Sequence, residues 1–460
     1  MFKPTAIALA LGAALPLAAQ AQSATDLQKQ IEAMKAQIQA LEAQVKQMQA
    51  TQVPPEEFNR IKTKTEALEE QKEASGFGGL TITGFADVPY VYNQAQRQGS
   101  FVFLNNFSGL VLPDGSVAPD APYTYFNSYL GIAGFSLLKE MEGGTQWKLT
   151  IAPQKSAASN YNWPSIVHEA SVSVPLGDLQ TRFIAGQIPD WSGYEYTLAY
   201  QQKLITHNLL FDFTVPSYYV GAGLDVTRGD LNLKALVANI NTNAYKANMR
   251  SPGFTFRGDY SINEFAGIGF AGQFGKAPLF IDPSSLQTLT AFEVDGYYTR
   301  GDLTLQGQVG VGSQKGAALN GGNASWWGAS ALAAYKFLPK LEGVLRADYL
   351  YNQRNGGGTL NIAALCADGE FYNDCFNGFG PGAQLLTDDQ GLSFYAPIDP
   401  NKGTNRIALS LGMNYLYSQN VQFRFEYRYD YGNQPVFYVA PDGGYRKYNN
   451  VIAGSTVLSF

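Results

Sequence analysis

VQFRFEYRYDY, residues Val421–Tyr431, alternates without a break: Val, Phe or Tyr at every odd position, Gln, Arg, Glu or Asp at every even one. Successive side chains of a β-strand point to opposite faces, so this is a strand with one apolar and one charged face. The polar face of a half-buried soluble strand rarely carries Arg424, Glu426, Arg428 and Asp430 in succession. A strand of a transmembrane barrel does, because lipid lies on one side and a wet lumen on the other.

Working outward, Ile452, Gly454, Thr456, Leu458 and Phe460 repeat the alternation and end the sequence on an aromatic residue. That ending resembles the C-terminal signal of bacterial outer-membrane barrels. About sixteen strand-like runs can be laid down from Leu80, beginning near residues 80, 126, 145, 165, 179, 216, 230, 252, 265, 289, 302, 326, 340, 404, 420 and 446. Short connections (139–144, 175–178, 228–230, 261–264, 300–302, 338–339 and 418–420) alternate with long ones such as 93–125, 189–215 and 354–403. The predicted fold is therefore an all-β antiparallel transmembrane barrel over 80–460, with both chain ends on the short-turn, periplasmic side.

Composition agrees. Tyr and Phe number 28 each and Gly 48, while charged residues make up only 15%, as many strands, tight turns and aromatic girdles require. A net charge of −6 argues against nucleic acid as a partner. No apolar run long enough for a helical span follows the N-terminus. Residues 1–21 read as a secretory signal: Lys3, the apolar stretch Ala6–Ala19, then Ala19-Gln20-Ala21. Export makes a disulfide the reading of Cys366 and Cys375, which lie nine apart in a Gly/Asp/Asn-rich loop; no metal site or cofactor is implied.

Ahead of the barrel, Leu27, Ile31, Met34, Ile38, Leu41, Val45 and Met48 recur at spacings of four and three. This heptad seam, with Ile31, Ile38 and Val45 at a, predicts a periplasmic coiled coil over 22–53. Pro54-Pro55 ends it, and 54–79 is a helical segment and linker.

Neither Arg228-Gly229-Asp230 nor Arg300-Gly301-Asp302 needs an adhesive role, since Gly-Asp suits the tight turn expected at each. His168 and His207 stand without a recognisable nucleophile and orienting acid, so no catalytic residues are expected and the chain is not read as an enzyme. The inward charges carry more. Arg346, Arg406, Arg424, Glu426, Arg428 and Asp430, with Glu342 and Asp348, are predicted to line the pore. Lys148, Arg182, Lys234, Arg257, Asp259, Glu293 and Asp295 share that parity. An interior sixteen strands wide should hold water. In the loop 189–215, Asp190, Glu195 and Asp212 are the predicted constriction acids, facing a basic strip of Arg346, Arg424 and Arg428.

Gly186–Glu195 (GQIPDWSGYE), His207–Phe211 (HNLLF) and Tyr218–Leu224 (YYVGAGL) resemble the OmpL-like β-barrel porin family. Over most of its length the chain is also similar to a proteobacterial family of outer-membrane barrel proteins with a short N-terminal coil, and coil plus barrel looks like the trimeric DcaP-like channels. The resemblance implies an outer-membrane channel of a Gram-negative bacterium, embedded in lipid and passing small hydrophilic solutes by diffusion. It also implies a homotrimer, whereas β-branched a residues with Leu at d favour dimers. The alternative function is a structural or adhesive protein that the barrel merely anchors.

Overall fold

A computed structural model describes residues 62–64, 78–95, 132–152, 166–198, 201–242, 251–279, 282, 284–361, 378–439 and 444–460. The signal, the heptad seam and both cysteines lie outside the described residues. The unit Gly79–Phe460 is a closed antiparallel barrel of sixteen strands. These are β1 (Leu80–Asn93), β2 (Ile132–Glu140), β3 (Gln146–Ile151), β4 (Val167–Pro175), β5 (Thr181–Pro189), β6 (Tyr218–Arg228), β7 (Leu231–Ile240), β8 (Gly253–Asn263), β9 (Ala266–Pro278), β10 (Leu286–Arg300), β11 (Leu303–Gln314), β12 (Ala324–Leu338), β13 (Leu341–Tyr351), β16 (Arg406–Ser418), β17 (Val421–Gly432) and β20 (Tyr448–Ser459). The ribbons β14–β15 (Ala383–Thr387, Ser393–Pro397) and β18–β19 (Phe437–Val439, Gly444–Arg446) stand apart in two of the long connections. β1 pairs with β20, so the sheet has no free edge.

The faces follow the sequence pattern. On β17, Phe423, Phe425, Tyr427 and Tyr431 are exposed outward, while Arg424, Glu426, Arg428 and Asp430 are buried inward. On β16, Ile407, Leu409, Leu411, Met413 and Tyr415 form the outer row. An apolar exterior over a charged interior inverts the soluble pattern and suits lipid. Aromatic residues collect at both rims: Tyr335, Phe337, Tyr415, Tyr417, Phe423 and Phe460 toward the short turns, and Tyr90, Trp327, Tyr349, Tyr431 and Tyr448 toward the long loops. The terminal Phe460 ring lies over Gly84, where a Cβ would come within 2.4 Å of it. Both Arg-Gly-Asp sequences are the expected tight turns, joining β6 to β7 and β10 to β11, with Gly229 and Gly301 at positive φ.

The interior departs from the expectation that water fills it. Ile205, Leu209 and Phe213 from the connection between β5 and β6 pack with inward Ile184, Tyr219, Leu236, Leu289, Trp326, Leu350 and Val451 and with Leu360 and Phe379 of an outer loop. A connection that folds in takes up part of the width that water would otherwise fill; the one between β5 and β6 does so here.

Candidate functional site

The connection 190–217 enters the barrel because its own sequence cannot stay outside. Leu204, Ile205, Leu209, Leu210 and Phe213 would be bare in water, and inside they are buried. Its ends are neighbours, since Pro189 pairs with Tyr218. At the start, the Asp190 carboxylate accepts bonds from the Ser192 amide (2.9 Å), the Ser192 hydroxyl (2.9 Å) and the Tyr219 hydroxyl (2.5 Å), a side-chain turn that bends the backbone inward. Gly193 follows at φ +76°, and a Cβ there would come within 2.6 Å of Glu293 Oε1 and 2.8 Å of Gln308 Oε1. Glycine takes that conformation without strain and leaves room for both side chains. Asn208 then caps the short helix Leu209–Phe213 by accepting from the Phe211 amide at 2.8 Å.

Residues 203–208 lie on the wall built by β13, β16 and β17 and are held as a ligand would be. Glu426 accepts from the Ile205 amide (2.7 Å), the Thr206 amide (2.8 Å) and the Thr206 hydroxyl (2.6 Å). Arg346 donates to the Thr206 carbonyl (2.7 Å) and the His207 carbonyl (2.9 Å), and Arg428 donates to the same His207 carbonyl (2.6 Å). Both guanidiniums also reach Thr206 Oγ1, at 3.0 and 3.1 Å. That hydroxyl therefore donates once and accepts twice, its full capacity. Lys203 pairs with Glu342 at 2.6 Å.

Charges stripped of water are tolerable only when paired and hydrogen-bonded. Arg346 meets Glu195 at 2.8 Å and Asp348 at 3.3 Å. Arg428 and Arg406 share Asp430 at 2.9 and 2.8 Å, and the Arg406 guanidinium also stands 4.4 Å from the Phe379 ring and 4.7 Å from that of Phe437. Arg424 reaches past β20 to Asp87 on β1 at 3.0 Å.

The expected pore-lining set thus shares the inward face, but not beside open water. Arg346 and Arg424 are 3% exposed, and Arg406, Arg428 and Asp430 0%: the loop lies on Arg346, Arg424 and Arg428, and Phe379 and Phe437 lie against Arg406. The expected field between a basic strip and three opposed acids is replaced by direct contact between Arg346 and Glu195. Asp212 pairs with His207 Nδ1 at 3.2 Å, and Asp190 lies against β6. Thr206, Asp87, Ser330 and Tyr194 are members that sequence reasoning missed. The Tyr194 hydroxyl meets Ser330 Oγ at 2.6 Å, and that oxygen in turn donates to Asp348 at 2.7 Å. The inward groups that keep contact with solvent lie elsewhere: Lys148 (side chain 44% exposed) bound to Glu169 at 2.7 Å, Asp259 (44%), and half-buried Arg182, Asp225 and Lys234.

Burial pushes the Asp190 carboxyl up to about 7, against the hydrogen bonds of Tyr219 and Ser192 and the charge of Arg257. Burial also raises Glu195, opposed by Arg346. An acid raised on docking binds its proton more tightly in the docked state, so docking is favoured at low pH and loses that contribution as pH climbs from the ordinary carboxylate range through about 7. Proteolysis within 190–217 should therefore be faster at pH 8 than at pH 5 relative to an unstructured control peptide, and Asp190→Asn should flatten much of the difference. An undiminished pH dependence in Asp190→Asn would assign it to other groups.

A family model described as "Protein of unknown function (DUF3138)" matches residues 51–263 and 260–460. No curated protein matches the chain. Among solved structures, the chain is similar to outer-membrane-expressed OmpT of Vibrio cholerae (10% identity, 83% of this chain and 97% of that one, TM-score 0.48). It is also similar to an anion-selective porin from Comamonas acidovorans (11%, 83% and 99%, 0.47) and to Salmonella typhi OmpF (11%, 83% and 97%, 0.45). The strand count given above rests on this barrel's own hydrogen bonding, and the OmpL-like resemblance rests on residues 186–224 alone.

Proposed function

The chain belongs to the DUF3138 family, and we propose that it is a porin-like channel of the Gram-negative outer membrane through which small hydrophilic solutes diffuse. The observation that carries this reading is the connection 190–217, folded into the barrel and fixed to one side of its wall by buried ionic hydrogen bonds. A segment so held narrows a lumen to a set size. In this reading Arg346, Arg406, Arg424, Glu426, Arg428 and Asp430 position the constriction, while Asp190, Glu195 and Asp212 belong to the loop that forms it. Solutes pass along the half-exposed polar wall of β3 to β8. Short turns and chain ends face the periplasm, where the coil over 22–53 joins the barrels into a homotrimer.

In planar bilayers the full chain should give discrete conductance that closes in three equal steps, and liposomes carrying it should swell in small sugars but not in large ones. One observation favours the second reading, an anchored structural or adhesive protein: the apolar cluster across the interior, together with exposed Leu385, Leu386, Leu392 and Phe394 on the outer ribbon. A chain that inserts fully folded yet is electrically silent and admits no sugar would establish that reading instead.

A further inference from the structure

We infer that the inner wall of β5 to β7 binds small oxyanions, phosphate or carboxylate, at Lys234, with Arg182 beyond Asp225 as the second cation. The inference deepens the channel reading, on which it rests for the passage of such solutes, although binding itself can be tested apart.

Four residues stand in one continuous register row: Arg182 opposite Asp225, Asp225 opposite Lys234, and Lys234 opposite Arg257. All four share the inward face, because Phe183, Leu224, Leu233 and Phe254 mark the outward parity of these strands. The row lies on the short-turn side of the loop, two to four residues from the turns for Arg182, Asp225 and Lys234.

Most described cations of the inner wall have carboxylates. Arg346 has Glu195, Arg424 has Asp87, Arg428 and Arg406 have Asp430, and Lys148 has Glu169. Arg257 is bound by both Asp295 and Asp259. Lys234 and Arg182 differ: among the described residues neither has a carboxylate within ion-pair distance. Asp225, which could have served both, is occupied by the Asn232 amide at 2.7 Å. Arg182 spends its Nε on Ser173 Oγ (2.6 Å) and its Nη2 on the carbonyls of Gly144 (2.7 Å) and Ser173 (3.1 Å), neutral contacts that fix the guanidinium plane without cancelling its charge.

The Arg257 guanidinium leans the other way, over Gly269 to Asp295, and Arg182 is about 10 Å from Lys234 across Asp225 at the usual strand spacing of about 4.8 Å. An oxyanion over Lys234 would supply the acceptor its ammonium lacks. A neutral solute brings no charge to meet that ammonium, so Lys234 favours an anion.

The test is titration of inorganic phosphate, with acetate in parallel, into the detergent-solubilised full chain by calorimetry, and into the short-turn side of bilayers carrying potassium chloride current. Wild type should bind phosphate and show a reduced chloride current. Lys234→Gln should weaken binding about tenfold, the scale of one charged hydrogen bond, while Lys234→Arg should stay within about twofold, since the charge is kept. Phosphate binding unchanged in Lys234→Gln, or absent in wild type, would overturn the site. Binding that depends on Lys234 in a protein that conducts no current would keep the site and defeat the channel reading, so the two failures are separable.

Discussion

Arg346→Ala should undo the docking of residues 203–208. It removes donors to two loop carbonyls and to Thr206 Oγ1, and strips Glu195 and Asp348 of their nearest cation. Breaking a buried pair by deleting one partner costs about 3–5 kcal/mol, because the other charge is left buried. The effect should appear as an earlier urea midpoint, faster cleavage within 190–217 and a larger single-channel conductance. Arg346→Lys should not rescue it, since one ammonium cannot reproduce a planar fork that serves several acceptors at once. An Arg346→Ala protein whose stability and loop protection match wild type would show that the buried contacts do not hold the loop.

The second large effect is expected at the closing seam. Arg424 on β17 crosses β20, touching Ser455 Oγ at 3.1 Å, to reach Asp87 on β1 at 3.0 Å. The carboxylate also accepts from the Ser455 hydroxyl, so three strands meet in one bond system around the closure. Arg424→Ala should cost about 3–5 kcal/mol for the same reason as above, and Asp87→Asn should recover part of that loss in the double variant, because the stranded charge is then gone. A double-mutant cycle in urea separates the pairwise energy from the two single losses. Additive losses would mean that the pair carries no energy of its own.

The barrel was legible because lipid constrains one face of every strand. Expected starts near 165, 340, 404 and 446 meet observed starts at Val167, Leu341, Arg406 and Tyr448, and every short connection but Leu338-Pro339 falls where Gly, Asp or Asn breaks the alternation. The ribbons β14–β15 and β18–β19 were not legible. Leu385, Leu386, Phe394 and Tyr395 put apolar side chains on both faces, so no period of two marks a strand there.

At the site, parity revealed that Arg346, Arg424 and Arg428 face inward, but not what they meet. Asp87 lies 337 residues from Arg424, and nothing in a lone aspartate on β1 announces that partner. Thr206 carries no marker either. One signal was present and went unread: Leu204, Ile205, Leu209, Leu210 and Phe213 crowd a connection that would otherwise lie in water. Such a segment has to be buried against something, and the barrel interior is the nearest place. That burial removes the loop's apolar surface from water and the arginines' charges with it.

The most direct measurement replaces residues 191–216 with a short Gly/Ser turn, which is geometrically permitted because Pro189 and Tyr218 are already paired across β5 and β6. Single-channel conductance of that variant should rise several-fold over wild type in the same salt, with the barrel still inserted and its unit step still defined. An unchanged conductance, or silence in both proteins, would contradict the claim that this segment narrows a conducting lumen.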